Sequence, residues 1–147
     1  MAWYFQLKEH SITRKYQAIV YGVLKDDFGT IDKPIGRSDA DRKKMAINAK
    51  NGRNAVTHYK VLKRFDKYTY IECQLETGRT HQIRVHMASI GHPILGDDIY
   101  SSRPCSFNLK GQSLHAKTIG FIHPRTNNYI QFDAPLPNYF IHLLEIL

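Results

Sequence analysis

The sequence predicts an α/β chain of the α+β type, dominated by a sheet and carrying few helices. Runs rich in β-branched and aromatic residues recur between turn residues along the chain. Only two well-formed stretches carry the i, i+3, i+4 spacing of an amphipathic helix. The chain has 147 residues, 42% hydrophobic and 23% charged. That length and balance suit one folded domain, residues 1–147, with a buried core and no second autonomous domain.

Strands are expected over residues 16–21, 55–62, 69–75, 114–121 and 129–132. In the second, Thr57, Tyr59 and Val61 alternate with His58, Lys60 and Leu62, so one face is suited to burial. Residues 63–69 then form a turn between two strands. Stretches 25–29, 38–42 and 101–112 have the composition of flexible connections. The first helix is expected over 81–90. Thr80 is placed to act as its N-cap, Ile83, Met87 and Ile90 share one face, and Gly91 and Pro93 end it. Its polar side would present His81 and Arg84. A second helix is expected over 139–147, and residues 3–9 suit the end of a further one.

Lys and Arg number 21 against 13 Asp and Glu, a formal net charge of +8. Such a surface attracts polyanions through steering and counterion release, although an ordinary basic protein has the same balance. The two cysteines, Cys73 and Cys105, are far apart and form neither a disulfide framework nor a zinc signature. No apolar run is long enough to span a bilayer, and the first residues lack the order of a signal peptide. A cytoplasmic location with no membrane partner is therefore expected. His81, His86 and His92 do not have the spacing of a metal-binding helix or finger, so no metal is expected.

The densest chemical segment is Thr77-Gly78-Arg79-Thr80-His81-Gln82-Ile83-Arg84-Val85-His86, where a glycine turn leads from a strand into a helix. Exposed N–H groups and the helix dipole favour an anion at such a junction, and two arginines add forked donors. The same residues alone also suit a helix start with solvated arginines. The string from Leu75 to Met87 closely resembles a signature of the RluA-type pseudouridine synthases. Further segments agree in the family's order: Arg14-Lys15-Tyr16-Gln17-Ala18, Ile31-Asp32-Lys33-Pro34-Ile35-Gly36-Arg37, Ala55-Val56-Thr57-His58-Tyr59, Gly91-His92-Pro93-Ile94-Leu95-Gly96-Asp97-Asp98-Ile99-Tyr100, Leu114-His115-Ala116, His123-Pro124 and Ala134-Pro135-Leu136-Pro137.

The resemblance implies a mixed, mainly antiparallel sheet forming part of the pseudouridine synthase fold, here the C-terminal part of the catalytic domain. It implies isomerisation of uridine in RNA, ribosomal RNA above all, by detaching the base, turning it and rejoining it through carbon, without a cofactor. The nucleotide must leave the stack for this. By the same resemblance Tyr16 packs on the uracil and assists proton removal, while Arg84 holds a catalytic aspartate ionised. Arg79, Thr80, His81, Gln82, Arg37 and His115 are the implied RNA contacts. The family's aspartate lies in a His-Arg-Leu-Asp block upstream of the tyrosine strand, and no segment here matches it. Residues 63–69 echo it only superficially. The expectation is therefore that this chain alone does not turn over. The other readings are a non-enzymatic RNA-binding fragment and a half-enzyme completed by a separate chain. An orphaned sheet edge would also favour self-association.

Overall fold

The computed structural model describes residues 12–147. The expected helix over residues 3–9 lies outside them. The elements run β1 (Thr13–Tyr21), β2 (Phe28–Asp32), β3 (Ile35–Arg37), β4 (Met45–Ile47), β5 (Val56–Arg64), β6 (Tyr68–Leu75), α1 (Gln82–Ser89), β7 (Leu114–Ile122), β8 (Tyr129–Asp133) and α2 (Asn138–Ile146). Six strands form one sheet in the order β2-β5-β6-β1-β7-β8, while β3 and β4 form a separate two-stranded sheet. Among the described residues, the paired strands all run antiparallel. The fold is thus a mixed α and β architecture on a mainly antiparallel sheet, as expected.

β1 is central, hydrogen-bonded to β6 on one side and β7 on the other. Its residues 18–21 are buried in succession because both faces of the sheet are covered. Alternate side chains divide between two cores. Ala18 and Val20 join Ile71, Cys73, Ile83, Met87 and Ile94 on the α1 side. Ile19 and Tyr21 join Leu95, Phe140 and Leu143 on the α2 side. The turn between β5 and β6 closes with Phe65 N–H donating to the Tyr68 carbonyl at 2.9 Å, in agreement with the turn expected there.

α1 has its apolar residues Ile83 and Met87 against the large sheet, as their spacing predicts. Its opposite side is not solvent-facing, however. Val85 packs with Ile35 and Ala55, and with Met45 and Tyr100, under the small β3–β4 sheet. Residues 82–87 are consequently all buried. Strands β2, β3 and β4 were not expected, being short, with the first two also interrupted by Gly29 and Gly36. The helix ends as Gly91 and the apolar spacing suggest: Gly91, at φ +85°, donates its N–H to the Ala88 carbonyl, and His92 N–H reaches the Met87 carbonyl. This is a Schellman arrangement that satisfies late carbonyls of the helix.

After that stop, the chain runs back along β1. Tyr21 N–H donates to the Pro93 carbonyl at 2.9 Å and Leu95 N–H to the Ile19 carbonyl at 2.8 Å. Gly96, at φ +83°, then turns the chain, and a Cβ there would lie 2.5 Å from the Gly111 carbonyl oxygen. Both the left-handed backbone and the close approach require glycine. Gly96→Ala is expected to lower unfolding free energy by about 2 kcal/mol. Urea titrations should show a lower midpoint with an unchanged slope.

Candidate functional site

Tyr16 lies on the α1 face of β1, half-buried against the core beneath α1. The β1–β7 register slips beside it: Lys15 opposes Thr118, but Tyr16 opposes Ala116, leaving Lys117 as the extra residue of a bulge. A bulge bends a strand and re-aims its side chains, a device common next to active sites.

The turn from β6 into α1 is organised by Gln82. Its Oε1 accepts from Thr77 Oγ1 at 2.7 Å and from Arg79 N–H at 3.0 Å. Its Nε2 donates to the Val56 carbonyl at 3.0 Å and to Thr57 Oγ1 at 2.9 Å. All four hydrogen-bonding positions of the amide are therefore occupied within the protein. The structure corrects the expected cap. His81, not Thr80, is the N-cap residue, in a left-handed conformation with φ 55° and no side-chain capping bond. Gln82 instead reaches back to Arg79 N–H, which holds the turn before the helix.

Gln82 begins a buried polar chain. Thr57 Oγ1 bonds His86 Nδ1 at 2.8 Å, and His86 Nε2 lies 2.9 Å from the Lys33 carbonyl. A carbonyl only accepts, so Nε2 bears the proton and the Thr57 hydroxyl donates to Nδ1. Burial pushes the His86 pKa down against the carbonyl of Lys33, which favours the neutral ring that this pattern needs.

Arg84 lies on the polar side of the helix, as expected, and is buried there. It is 7% exposed, Asp97 is 3% exposed, and the two form a forked pair, Nε to Oδ2 at 2.8 Å and Nη2 to Oδ1 at 2.9 Å. Asp97 Oδ1 further accepts from Ile99 N–H at 3.0 Å and Tyr100 N–H at 3.1 Å. The Tyr100 ring lies under the guanidinium at 5.0 Å, and its hydroxyl bonds His81 Nδ1 at 2.7 Å and accepts from Met45 N–H. Burial acts to raise the Asp97 pKa. The bonds from Arg84, Tyr100 and Ile99 outweigh it and hold the carboxyl below its ordinary range. At His81, burial first and then Arg84 push the pKa down, so the ring is favoured neutral.

These groups surround a cleft of about 320 Å³ whose walls include Tyr16, Leu75, Arg79, His81, Arg84 and Leu114. A cavity of this size, with an aromatic wall and convergent donors, suits one flat polar ring. Of the residues singled out from sequence, it gathers Tyr16, Arg79, His81, Gln82 and Arg84. Thr80 is exposed on the approaching turn. Arg37 lies apart on β3, donating to the Arg42 carbonyl, and His115 is bonded to the Ala134 carbonyl beside β7. Asp97, Tyr100, Thr57 and His86 escaped notice as supports of the site, although the Gly96-Asp97 block and the recurring His86 offered a signal. A hollow of about 480 Å³ between residues 108–112 and Tyr139 holds none of the expected site residues. Among the described residues, no group of three or more His, Cys, Asp or Glu is placed to hold a metal ion.

Arg84→Met would leave a buried carboxylate without its cation and is expected to cost about 3–5 kcal/mol, measured by chemical denaturation. A pH series should identify the same pair. With its pKa depressed on folding, Asp97 stabilises the protein above the ordinary carboxylate pKa, and that contribution is lost as pH falls through the lowered value. The stability gap between the protein and Asp97→Asn should therefore narrow below about pH 4.

A family model described as RNA pseudouridylate synthase matches residues 1–89. A Bacillus subtilis (strain 168) protein, the uncharacterized RNA pseudouridine synthase YlyB, is 53% identical over 142 residues, covering 97% of this chain and 46% of that protein. Ribosomal large subunit pseudouridine synthase D of Pseudomonas aeruginosa (strain PAO1) is 44% identical over 154 residues, covering 97% and 48%. The chain thus spans less than half the length of these two relatives. Among solved structures, human RNA pseudouridylate synthase domain containing 4 superposes with a TM-score of 0.76 at 26% identity, covering 97% of this chain and 64% of that one. Human RNA pseudouridylate synthase domain containing 1 gives 0.75 at 27% identity, covering 91% and 58%.

Proposed function

This chain belongs to the RNA pseudouridylate synthase family, and we propose that its Tyr16–Arg84 cleft receives a uridine flipped out of RNA for isomerisation to pseudouridine. The single observation that carries this reading is the meeting of Tyr16 and Arg84 in one cleft although they are far apart in sequence. The tyrosine face can stack on the uracil, and its hydroxyl can exchange a proton with the base. The named relatives, one of them a ribosomal large subunit enzyme, favour ribosomal RNA as the substrate. The charge of +8 supports attraction to its backbone. Cytoplasmic residence belongs to the same proposal.

Detaching the base calls for a nucleophile, which the family resemblance assigns to an aspartate. Asp97 does not suit that task, because both its oxygens are bonded to Arg84 and it is buried. Arg84 lines the cleft with its Nε and Nη2 turned towards Asp97. We assign Asp97 the part of a fixed counter-ion that aims the arginine, and an incoming carboxylate the part of nucleophile. On this reading the 147-residue chain does not turn over alone. The competing reading, an RNA-binding fragment without chemistry, shares the cleft and differs in whether an added aspartate-bearing segment restores turnover.

Tritium release from 5-tritiated uridine in ribosomal RNA tests the proposal, using this chain beside a form extended upstream through an aspartate-containing segment. Release only from the longer form is expected. Release from this chain would refute the predicted inactivity and direct mutagenesis to Asp66, Asp97 and Asp98, whereas release from neither would favour the binding module. Self-association is proposed through the outer strands β2 and β8, where Phe28 is 76% and Phe132 58% exposed. A concentration-independent monomer mass by light scattering would exclude it.

A further inference from the structure

Arg14 lies two residues before Tyr16 on β1, so the two side chains share the face that looks towards α1. Its Nε is buried and has no hydrogen-bond partner among the described residues. Its Nη1 fits against Gly78, where a Cβ would come within 2.3 Å of it. The absence of a side chain at Gly78 therefore makes room for the guanidinium. Arg79 follows immediately, fixed by a bond of 2.8 Å from its Nε to the Asn54 carbonyl. Among the described residues no ion pair is formed by Arg14 or Arg79. Burial lowers the Arg14 pKa, Tyr16 opposes that effect, and the charge of Arg79 adds to it, as adjacent cations require.

Two neighbouring guanidinium groups, one with a buried donor left without a partner, make an arrangement that an anion would stabilise. Its place identifies the anion. Arg79 and Gly78 line the Tyr16–Arg84 cleft, Arg14 lines an adjoining cleft of about 320 Å³, and Tyr16 borders both. We infer that Arg14 and Arg79, across Gly78, bind one phosphodiester flanking the nucleotide whose base enters the Tyr16 cleft. This deepens the function proposed above and rests on it. A guanidinium fork matches two phosphate oxygens, and a phosphate anchored here would fix the backbone while the base turns.

The probe is a stem-loop RNA with one unpaired uridine, with fluorescence anisotropy as readout. Two further RNAs each carry a neutral methylphosphonate in place of one phosphodiester beside that uridine. The 147-residue chain should lose about tenfold in affinity for one of them. Arg14→Gln should bind unmodified RNA about tenfold more weakly, be indifferent to that methylphosphonate, and show a salt slope shallower by about 1. Arg14→Lys should recover the salt slope. Gly78→Ala, whose Cβ would displace the guanidinium, should behave like Arg14→Gln and carries the test if that variant does not fold. Equal methylphosphonate losses in the chain and in Arg14→Gln would overturn the inference while leaving RNA binding intact. Unchanged RNA affinity in Arg14→Gln would overturn it too, in favour of a protein carboxylate as the anion. No RNA affinity in the unsubstituted chain would overturn both readings.

Discussion

The burial of α1 over residues 82–87 is the constraint on which the rest of this molecule depends. A helix enclosed between two sheets cannot send its polar side chains to water, so each must find a partner inside. Gln82, Arg84 and His86 all do so, and their partners tie the helix to different parts of the chain. Gln82 and His86 meet at Thr57 on β5. Arg84 fixes the segment after Gly96. The packing that closes the core therefore also determines where the cleft residues stand.

Much of this was legible in the sequence. Residues 16–21, 69–75 and 114–121 carry the dense β-branched and aromatic runs of strands paired on both sides, and they form the centre of the sheet. The spacing of Ile83, Met87 and Ile90 correctly located the helix face towards that sheet. What escaped notice lies on the other side of the helix. What Arg84 would face was not legible because helical periodicity shows only how a helix meets one surface, and β3 and β4, which supply the second, are too short to display a pattern. The left-handed His81 was equally hidden, since a threonine before a helix is the usual cap and nothing local shows that the helix will start one residue later without a side-chain cap.

The site itself was visible as residues but not as a network. Tyr16, Arg79 and Arg84 stood out as chemically able side chains, whereas Asp97 and Tyr100 stood only within the matching segment from Gly91 to Tyr100. They shape the domain, and through the same bonds they orient Arg84. Arg37 and His115, by contrast, have partners away from the cleft, which shows how little a basic or aromatic residue in a matching segment says about where its side chain ends up.

The central position of β1 has a consequence for motion. A strand with neighbours on both sides and cores on both faces can expose its amides only when most of the sheet opens, so its hydrogen exchange should approach the global limit. The outer strand β8 and the small β3–β4 sheet are held on fewer sides. The wall bearing Tyr16 is thus part of the slowest-opening unit of the protein, and the margins around it can fluctuate without disturbing it. On the function proposed above, an RNA strand would adjust against the yielding rim while meeting a stationary aromatic surface at the centre.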